Sequence, residues 1–300
     1  MLTRYAVTSG KNCRGHAVTE AKQWAEELQV PFVPRLDNLS LEAMLSRYGV
    51  EGLLIATTTG PRIFTSSGTF FFHPGVGMLR WKQLFGGEQQ PRAADTAVIS
   101  ETGASQVMLA ATGKTQVMLS GTGTKAALPD HFVAATQLQP GQRYLDCTLG
   151  LGADALIASH LVGNRGRAVG LEASLLLHFV VSRGLKAYRT HYAALAADLK
   201  RLETYHTEAL PFLRQQPADS FDVIYFDPMF RFPVHQSSTM QPLRPLAFEE
   251  PLTRAVVEEA LRVAPRVVIK ERGETILREL GCSTFTGGRY SRVMFGIATR

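Results

Sequence analysis

From Leu128 onward, short apolar runs alternate with stretches whose apolar residues recur at helical spacing, and this alternation predicts a parallel sheet wrapped by helices on both faces. Strands are expected at 143–148, 167–172, 202–206, 221–227 and 265–270, with two more near 282–286 and 290–298. Parallel strands need right-handed crossovers, which bring the carboxyl ends of the strands to one edge, where open sheets bind ligands. The expected core is therefore a doubly wound α/β domain over residues 128–300, with the chemistry at that edge.

The residues ahead of it read as a small α/β unit over 1–90. Arg4 to Thr8 suits a strand, and Val18 to Gln29 carries Ala21, Trp24, Ala25 and Leu28 at helical spacing before Pro31 stops it. A second helix runs through Leu41, Met44 and Leu45, with Ser40 placed to cap its start and Gly49 to close its end. Strands follow at Gly52 to Thr57, Arg62 to Thr65 and Thr69 to His73. Residues 91–127 are a Gly/Ser/Thr-rich insertion in which QVMLAATG at 106 recurs as QVMLSGTG at 116, read as a β-hairpin or a flexible insertion. Gly113-Lys114-Thr115 is not a phosphate loop, because that motif needs a glycine five positions before Gly113 and Met108 stands there.

Composition narrows the classes. Apolar residues make up 45% of the chain, enough for an ordinary core, and no apolar run reaches the roughly 18 residues that a membrane-spanning helix needs. The first residues lack a basic-then-apolar secretion layout, and the three cysteines are widely separated, so a reduced cytoplasm is the expected location. None of the cysteines has metal-ligand spacing, and no metal is expected. With 32 Lys and Arg against 26 Asp and Glu, the net charge of +6 favours a polyanionic partner, although solubility alone also accounts for it.

Tyr144 to Asp154 reads YLDCTLGLGAD, an apolar strand running into a turn pinched by Gly150 and Gly152. Glycine there lets the chain reverse sharply while a ligand lies against bare backbone. Glu172 ends the next strand about twenty residues later, where a carboxylate can accept both hydroxyls of a ribose. These residues suit adenosine but do not separate a methyl donor from a nicotinamide dinucleotide, since Gly150-x-Gly152-x-x-Ala155 satisfies a relaxed dinucleotide pattern as well. A tight turn without a ligand is the plainer alternative.

The second strand of interest, Phe221 to Phe226, ends in Asp227-Pro228-Met229-Phe230, so that Asp227 emerges at the carboxyl edge with Pro228 stiffening the backbone behind it. An exocyclic base amine is a poor nucleophile because its lone pair is delocalised, and it must be oriented at near-attack distance to react. Asp227 can accept one N–H, the carbonyl of Pro228 the other, and Phe230 can stack on the base. Nicotinamide chemistry has no need of that tetrapeptide.

With both halves in view, the carboxyl-terminal 170 or so residues resemble class I S-adenosylmethionine-dependent methyltransferases, most closely the RsmJ-like group that methylates guanine N2 in small-subunit ribosomal RNA. The resemblance rests on LDCTLGLGADAL, VGLEAS, YHTEAL, YFDPMF and RVVIKER, and extends to FFFHPGVGMLRWKQLFGG at 70–87. It implies a Rossmann-like sheet of seven mainly parallel strands and S-adenosylmethionine as cofactor. By position it implies cofactor contacts at Asp146, Gly150, Gly152, Ala153, Asp154, Glu172, Ala173, Glu208, Ala209 and Asp227. Ala153 stands where that group has an arginine, and Glu208-Ala209 where it has a polar pair.

Four residues are candidates for RNA contacts. Arg80 and Lys82 flank Trp81 in a glycine-containing, aromatic segment suited to gripping phosphates while a ring stacks on a base, or else an ordinary surface turn. Lys270 ends the fifth strand at the same edge, and meets either a substrate phosphate or a neighbouring carboxylate. The expected activity is methyl transfer to an exocyclic base amine of RNA, with a small-molecule methyltransferase and a non-catalytic RNA-binding protein as the rival classes.

Overall fold

The computed structural model describes residues 4–11, 15–36, 38–86, 130–228, 250–288 and 293–300. The repeat-bearing insertion at 91–127 and the residues Met229 and Phe230 lie outside the described residues.

The chain begins with a four-stranded sheet built from β1 (Tyr5–Ser9), β2 (Gly52–Thr57), β3 (Gly60–Thr65) and β4 (Gly68–Phe71), in that spatial order. β1 and β2 pair in parallel, joined through α1 (His16–Leu28) and α2 (Leu41–Tyr48), and β2, β3 and β4 follow as antiparallel hairpins. The local signals act as expected: Ser40 Oγ accepts the Ala43 N–H at 3.1 Å, and Gly49 closes α2 with φ +63°. Residues Gly75–Phe85 form a helix, α3, directly after β4.

The second sheet has seven strands. β5 (Arg143–Asp146), β6 (Arg167–Glu172), β7 (Glu203–His206), β8 (Val223–Phe226) and β9 (Arg266–Glu271) are parallel, and β10 (Thr284–Gly287) and β11 (Met294–Thr299) are antiparallel additions. The spatial order is β10-β11-β9-β8-β5-β6-β7. The chain goes outward from β5 through β6 to β7 and then returns to β8 on the other side of β5, so the topological switch lies between β5 and β8. In such sheets that crevice is the ligand site. The connecting helices are α4 (His131–Thr136), α5 (Ala153–Val162), α6 (Leu175–Ala187), α7 (Ala193–Arg201), α8 (Ala209–Gln215), α9 (Arg254–Val263) and α10 (Glu274–Glu279). Central strands buried on both faces read as continuous apolar runs, as VIYF of β8 and VVI within β9 do.

The two sheets share one apolar core, in which Val7, Trp24, Ile63, Phe70 and Trp81 join residues such as Tyr144, Leu156 and Phe179. Trp24 of α1 meets Phe179 of α6 edge-on at 5.2 Å, and the Arg183 guanidinium lies 3.5 Å from the Phe179 ring centre while pairing with Glu27. Two glycines let the amino-terminal unit approach the second sheet closely. A Cβ on Gly77 would lie 3.0 Å from Ala153 Cα, so α3 packs directly on the start of α5; one on Gly184 would lie 2.2 Å from Phe72. The amino-terminal unit is thereby seated against the very turn that the sequence marks for ligand binding.

Candidate active site

The turn after β5 is built by three hydrogen bonds from backbone N–H groups, two to carbonyls and one to a carboxylate. Leu149 N–H donates to Leu171 O at 2.8 Å, Gly152 N–H to Leu149 O at 2.8 Å, and Gly150 N–H to Glu172 Oε2 at 3.0 Å. Gly150 at φ +50° and Gly152 at φ +73° hold the left-handed conformation that favours glycine. A Cβ on Gly150 would meet nothing closer than Thr148 O at 3.8 Å, so the backbone here faces open space rather than packed protein. On the other side, Gly170 makes room for Leu149, whose Cδ1 would lie 2.5 Å from a Cβ added there.

Glu172 closes the floor of this pocket. Its second oxygen accepts the Ser174 N–H at 2.8 Å, so one carboxylate ties the β5 turn to the β6 turn. Burial pushes its pKa up, against the pull of those backbone N–H groups. Ser174 Oγ beside it is buried without a hydrogen-bond partner among the described residues. Ala173 is partly exposed, its carbonyl 3.1 Å from His206 Nε2, and Glu208 and Ala209 begin α8 at the same edge with the Glu208 side chain in solvent. A bare glycine backbone, a carboxylate fixed at the end of the next strand and an unsatisfied hydroxyl two residues after it fit the adenosine part of S-adenosylmethionine.

Across the switch point stands Asp227. Its N–H donates to Thr148 Oγ1 at 2.6 Å, and Thr148 N–H donates to Asp146 Oδ1 at 2.9 Å, so the ends of β5 and β8 are tied together. Lys270 Nζ, from β9, donates to Asp227 Oδ2 at 2.6 Å and reaches Asp154 Oδ2 at 3.4 Å. Asp154, in the first turn of α5, also accepts the Tyr225 hydroxyl at 2.8 Å and pairs with Arg80. Arg80 in turn grips Asp130 with two hydrogen bonds, at 2.5 and 2.8 Å, while Asp130 caps α4 through the N–H groups of Phe132 and Val133.

The carboxylates of this network differ in their titration. Burial pushes Asp227 up to about 6, although Lys270 pulls the other way. Asp146 is also pushed well up by burial, and the charges of Asp154 and Asp227 add to it. Burial acts on Asp154 and Asp130 in the same sense, but Lys270 and Arg80 outweigh it for Asp154, as Arg80 does for Asp130, and both are held below the usual carboxylate range.

The structure thus brings Asp146, Gly150, Gly152, Ala153, Asp154, Glu172, Ala173, Glu208, Ala209, Asp227, Pro228 and Lys270 to one edge. It corrects the surface placement expected for Arg80 and Trp81. Both lie on the inner face of α3: Arg80 is engaged by two aspartates, and Trp81 is 3% exposed with its indole N–H donating to Asp198 Oδ2 at 2.7 Å. The helical period that seats Gly77 on α5 turns both side chains inward. Lys82 remains partly exposed, with Nζ 4.5 Å from the Tyr192 ring centre. Sequence reading passed over Asp130, Thr148, Tyr225 and Asp198. Of these, Asp130 alone carried a local signal, an aspartate directly before the helical stretch HFVAAT. Among the described residues no cluster of three or more His, Cys, Asp or Glu could hold a metal ion, and no helix is long and apolar enough to cross a membrane.

Known proteins bear the same stamp. The chain is 32% identical over 264 residues to "Uncharacterized protein YpiP" of Bacillus subtilis (strain 168), covering 88% of this chain and 86% of that one. It is 32% identical over 148 residues to "Ribosomal RNA small subunit methyltransferase J" of Dechloromonas aromatica (strain RCB), covering 45% of this chain and 56% of the relative. The crystal structure of a SAM-dependent methyltransferase from Neisseria gonorrhoeae superposes with a TM-score of 0.55 at 14% identity, over 98% of this chain and 95% of that one, a likeness of fold. The family described as "Putative SAM-dependent methyltransferase" matches residues 104–292, more than half of the chain. The chain therefore belongs to this family, and it is a methyltransferase that takes its methyl group from S-adenosylmethionine.

Proposed function

We propose that this enzyme methylates an exocyclic amine of an RNA base, with guanine N2 of small-subunit ribosomal RNA as the favoured target. The observation that carries the reading is Asp227: a carboxylate at the switch point, backed by Pro228, with its backbone N–H fixed by Thr148 and its side chain at the edge of the pocket. The similarity to ribosomal RNA small subunit methyltransferase J supports the choice of substrate over a small molecule. So does the net charge of +6, through attraction to phosphate.

S-adenosylmethionine supplies a sulfonium methyl open to displacement by nitrogen. Glu172 and Ala173 would hold its ribose, the Gly150–Gly152 turn its amino-acid portion, and Glu208 and Ala209 would border the adenine. Asp227 accepts one N–H of the base amine and the Pro228 carbonyl the other, which turns the nitrogen lone pair toward the methyl carbon. As the N–CH3 bond forms and the S–CH3 bond breaks, the nitrogen becomes acidic and sheds one proton toward Asp227. Phe230 is assigned to stacking on the base. Residues 1–90 are assigned to presenting the RNA, with Lys82 as a phosphate contact.

The test is methylation of ribosomal RNA from cells lacking this gene, using labelled donor and mass spectrometry of nuclease digests. One new N2-methylguanine is expected, with a rate that falls steeply as salt rises. Methyl transfer confined to small molecules and indifferent to salt would overturn the RNA assignment.

A further inference from the structure

We propose that Lys270 is a positioning residue for the reaction: its ammonium, held between Asp227 and Asp154, fixes the direction of the Asp227 carboxylate and keeps it charged for the incoming amine. This rests on Asp227 being the amine-orienting group.

The geometry assigns separate tasks to the two carboxylate oxygens. Oδ2 takes the Lys270 hydrogen bond at 2.6 Å, which leaves Oδ1 as the atom for the base N–H. A carboxylate on a freely rotating side chain would present either oxygen; one pinned at Oδ2 and at its own N–H presents Oδ1 in one direction. Lys270 is itself pinned, because Asp154 draws the same ammonium from 3.4 Å and is held in turn by Arg80 and by the Tyr225 hydroxyl. A lysine so enclosed is poorly placed to meet a phosphate.

Charge points the same way. Asp227 faces Lys270 and Glu271 on β9, Asp154 on α5, Asp146 on β5 and Tyr225 on β8, with Arg80 of α3 and Asp130 behind Asp154. Among the described residues, Lys270 is the cation paired with Asp227, and the charges of Asp154 and Glu271 act against it. Without that ammonium a buried carboxylate beside Asp154 and Asp146 would hold a proton, and a neutral carboxyl is a weaker acceptor that cannot take up the proton the amine sheds.

The experiment reads Asp227 directly, with no RNA and no turnover. Carbon-13 NMR of the carboxyl-labelled full-length protein, with the Asp227 signal identified by its absence in D227N, gives the titration midpoint in wild type, K270M, K270R and D154N. The midpoint is expected to rise by about one to three pH units in K270M, to stay near the wild-type value in K270R, and to fall in D154N, where Lys270 is left to Asp227 alone. General loosening of the site would not move the two variants in opposite directions. An unchanged midpoint in K270M overturns the proposal; if K270M does not fold, K270Q is titrated in its place and an unchanged midpoint there overturns it. Since no substrate takes part, failure of the RNA assignment leaves this result standing, and the reverse also holds.

Discussion

Replacing Gly184 by alanine tests how the two sheets are joined, and the expected sign is contrary to what helix propensity alone dictates. Gly184 lies inside α6 at an ordinary helical φ, where alanine would on its own stabilise the helix by about 0.8–1.0 kcal/mol. The added Cβ would fall 2.2 Å from Phe72 Cγ and Cδ1 and 2.4 Å from its Cβ. Those atoms form the root of the ring, not a flexible end, so contact at a tolerable distance needs a displacement of more than 1 Å of the segment leaving β4. Overpacking of this kind costs roughly 1–3 kcal/mol, and the net effect should be a loss of up to about 2 kcal/mol. In a Phe72→Ala background the obstacle is gone, and Gly184→Ala should become stabilising by up to about 1 kcal/mol. Urea unfolding of the four proteins, followed by both fluorescence and circular dichroism, measures the coupling. A Gly184→Ala variant more stable than wild type, or additive effects, would refute the packing argument and with it the close docking of Phe72 on α6.

Asp227→Ala should lower turnover by about 100-fold or more, a typical loss for a group that handles a proton in the transition state, while calorimetry still detects donor binding. Gly150→Val should abolish donor binding in the same calorimetric assay, since its side chain would stand in the open space over the turn and strain a backbone at φ +50°. Asp227 must be ionised to take up the proton that the amine sheds, so activity should decline as the pH drops through about 6, and a flat rate between pH 5 and 8 would contradict its role.

Most of the fold was legible because it rests on signals a few residues long. The apolar runs located the eleven strands among the described residues to within a few positions, and the order of strands and helices implied the parallel sheet. Ser40 and Gly49 marked α2 by capping chemistry alone. The glycine turn and Asp227 were visible for the same reason, as each is a short motif whose geometry follows from its own residues. Arg80 and Trp81 were misplaced because their surroundings are supplied from far along the chain. The partners of Arg80, Asp130 and Asp154, lie 50 and 74 positions away, and Asp198 lies 117 positions from Trp81. A basic and an aromatic residue side by side look alike on an RNA-binding surface and in a buried ion network. The choice between the two belongs to tertiary structure.

Burial and that network together explain why Asp227 is more basic than Asp130 and Asp154. Asp130, Asp154 and Asp227 share two cations, Arg80 and Lys270. Arg80 is committed to the first two, while burial, the larger effect on Asp227, is opposed there by Lys270, which Asp154 also draws. Asp130 and Asp154, held below the ordinary carboxylate range, contribute stability above that range and lose it as pH falls through their lowered values. Asp227 has the opposite sign. Held at about 6 against an ordinary 3.8, its contribution is fully present only below the ordinary value and is lost as pH rises through about 6. At neutral pH its charged form therefore costs the fold on the order of 3 kcal/mol. Asp227→Asn, which keeps the shape and removes the charge, should accordingly raise the melting temperature relative to wild type at pH 8, and the gain should vanish near pH 4. A variant less stable than wild type at pH 8 would mean that the Lys270 contact outweighs burial, and the site would then be held together by the residue that we take to be its strained member.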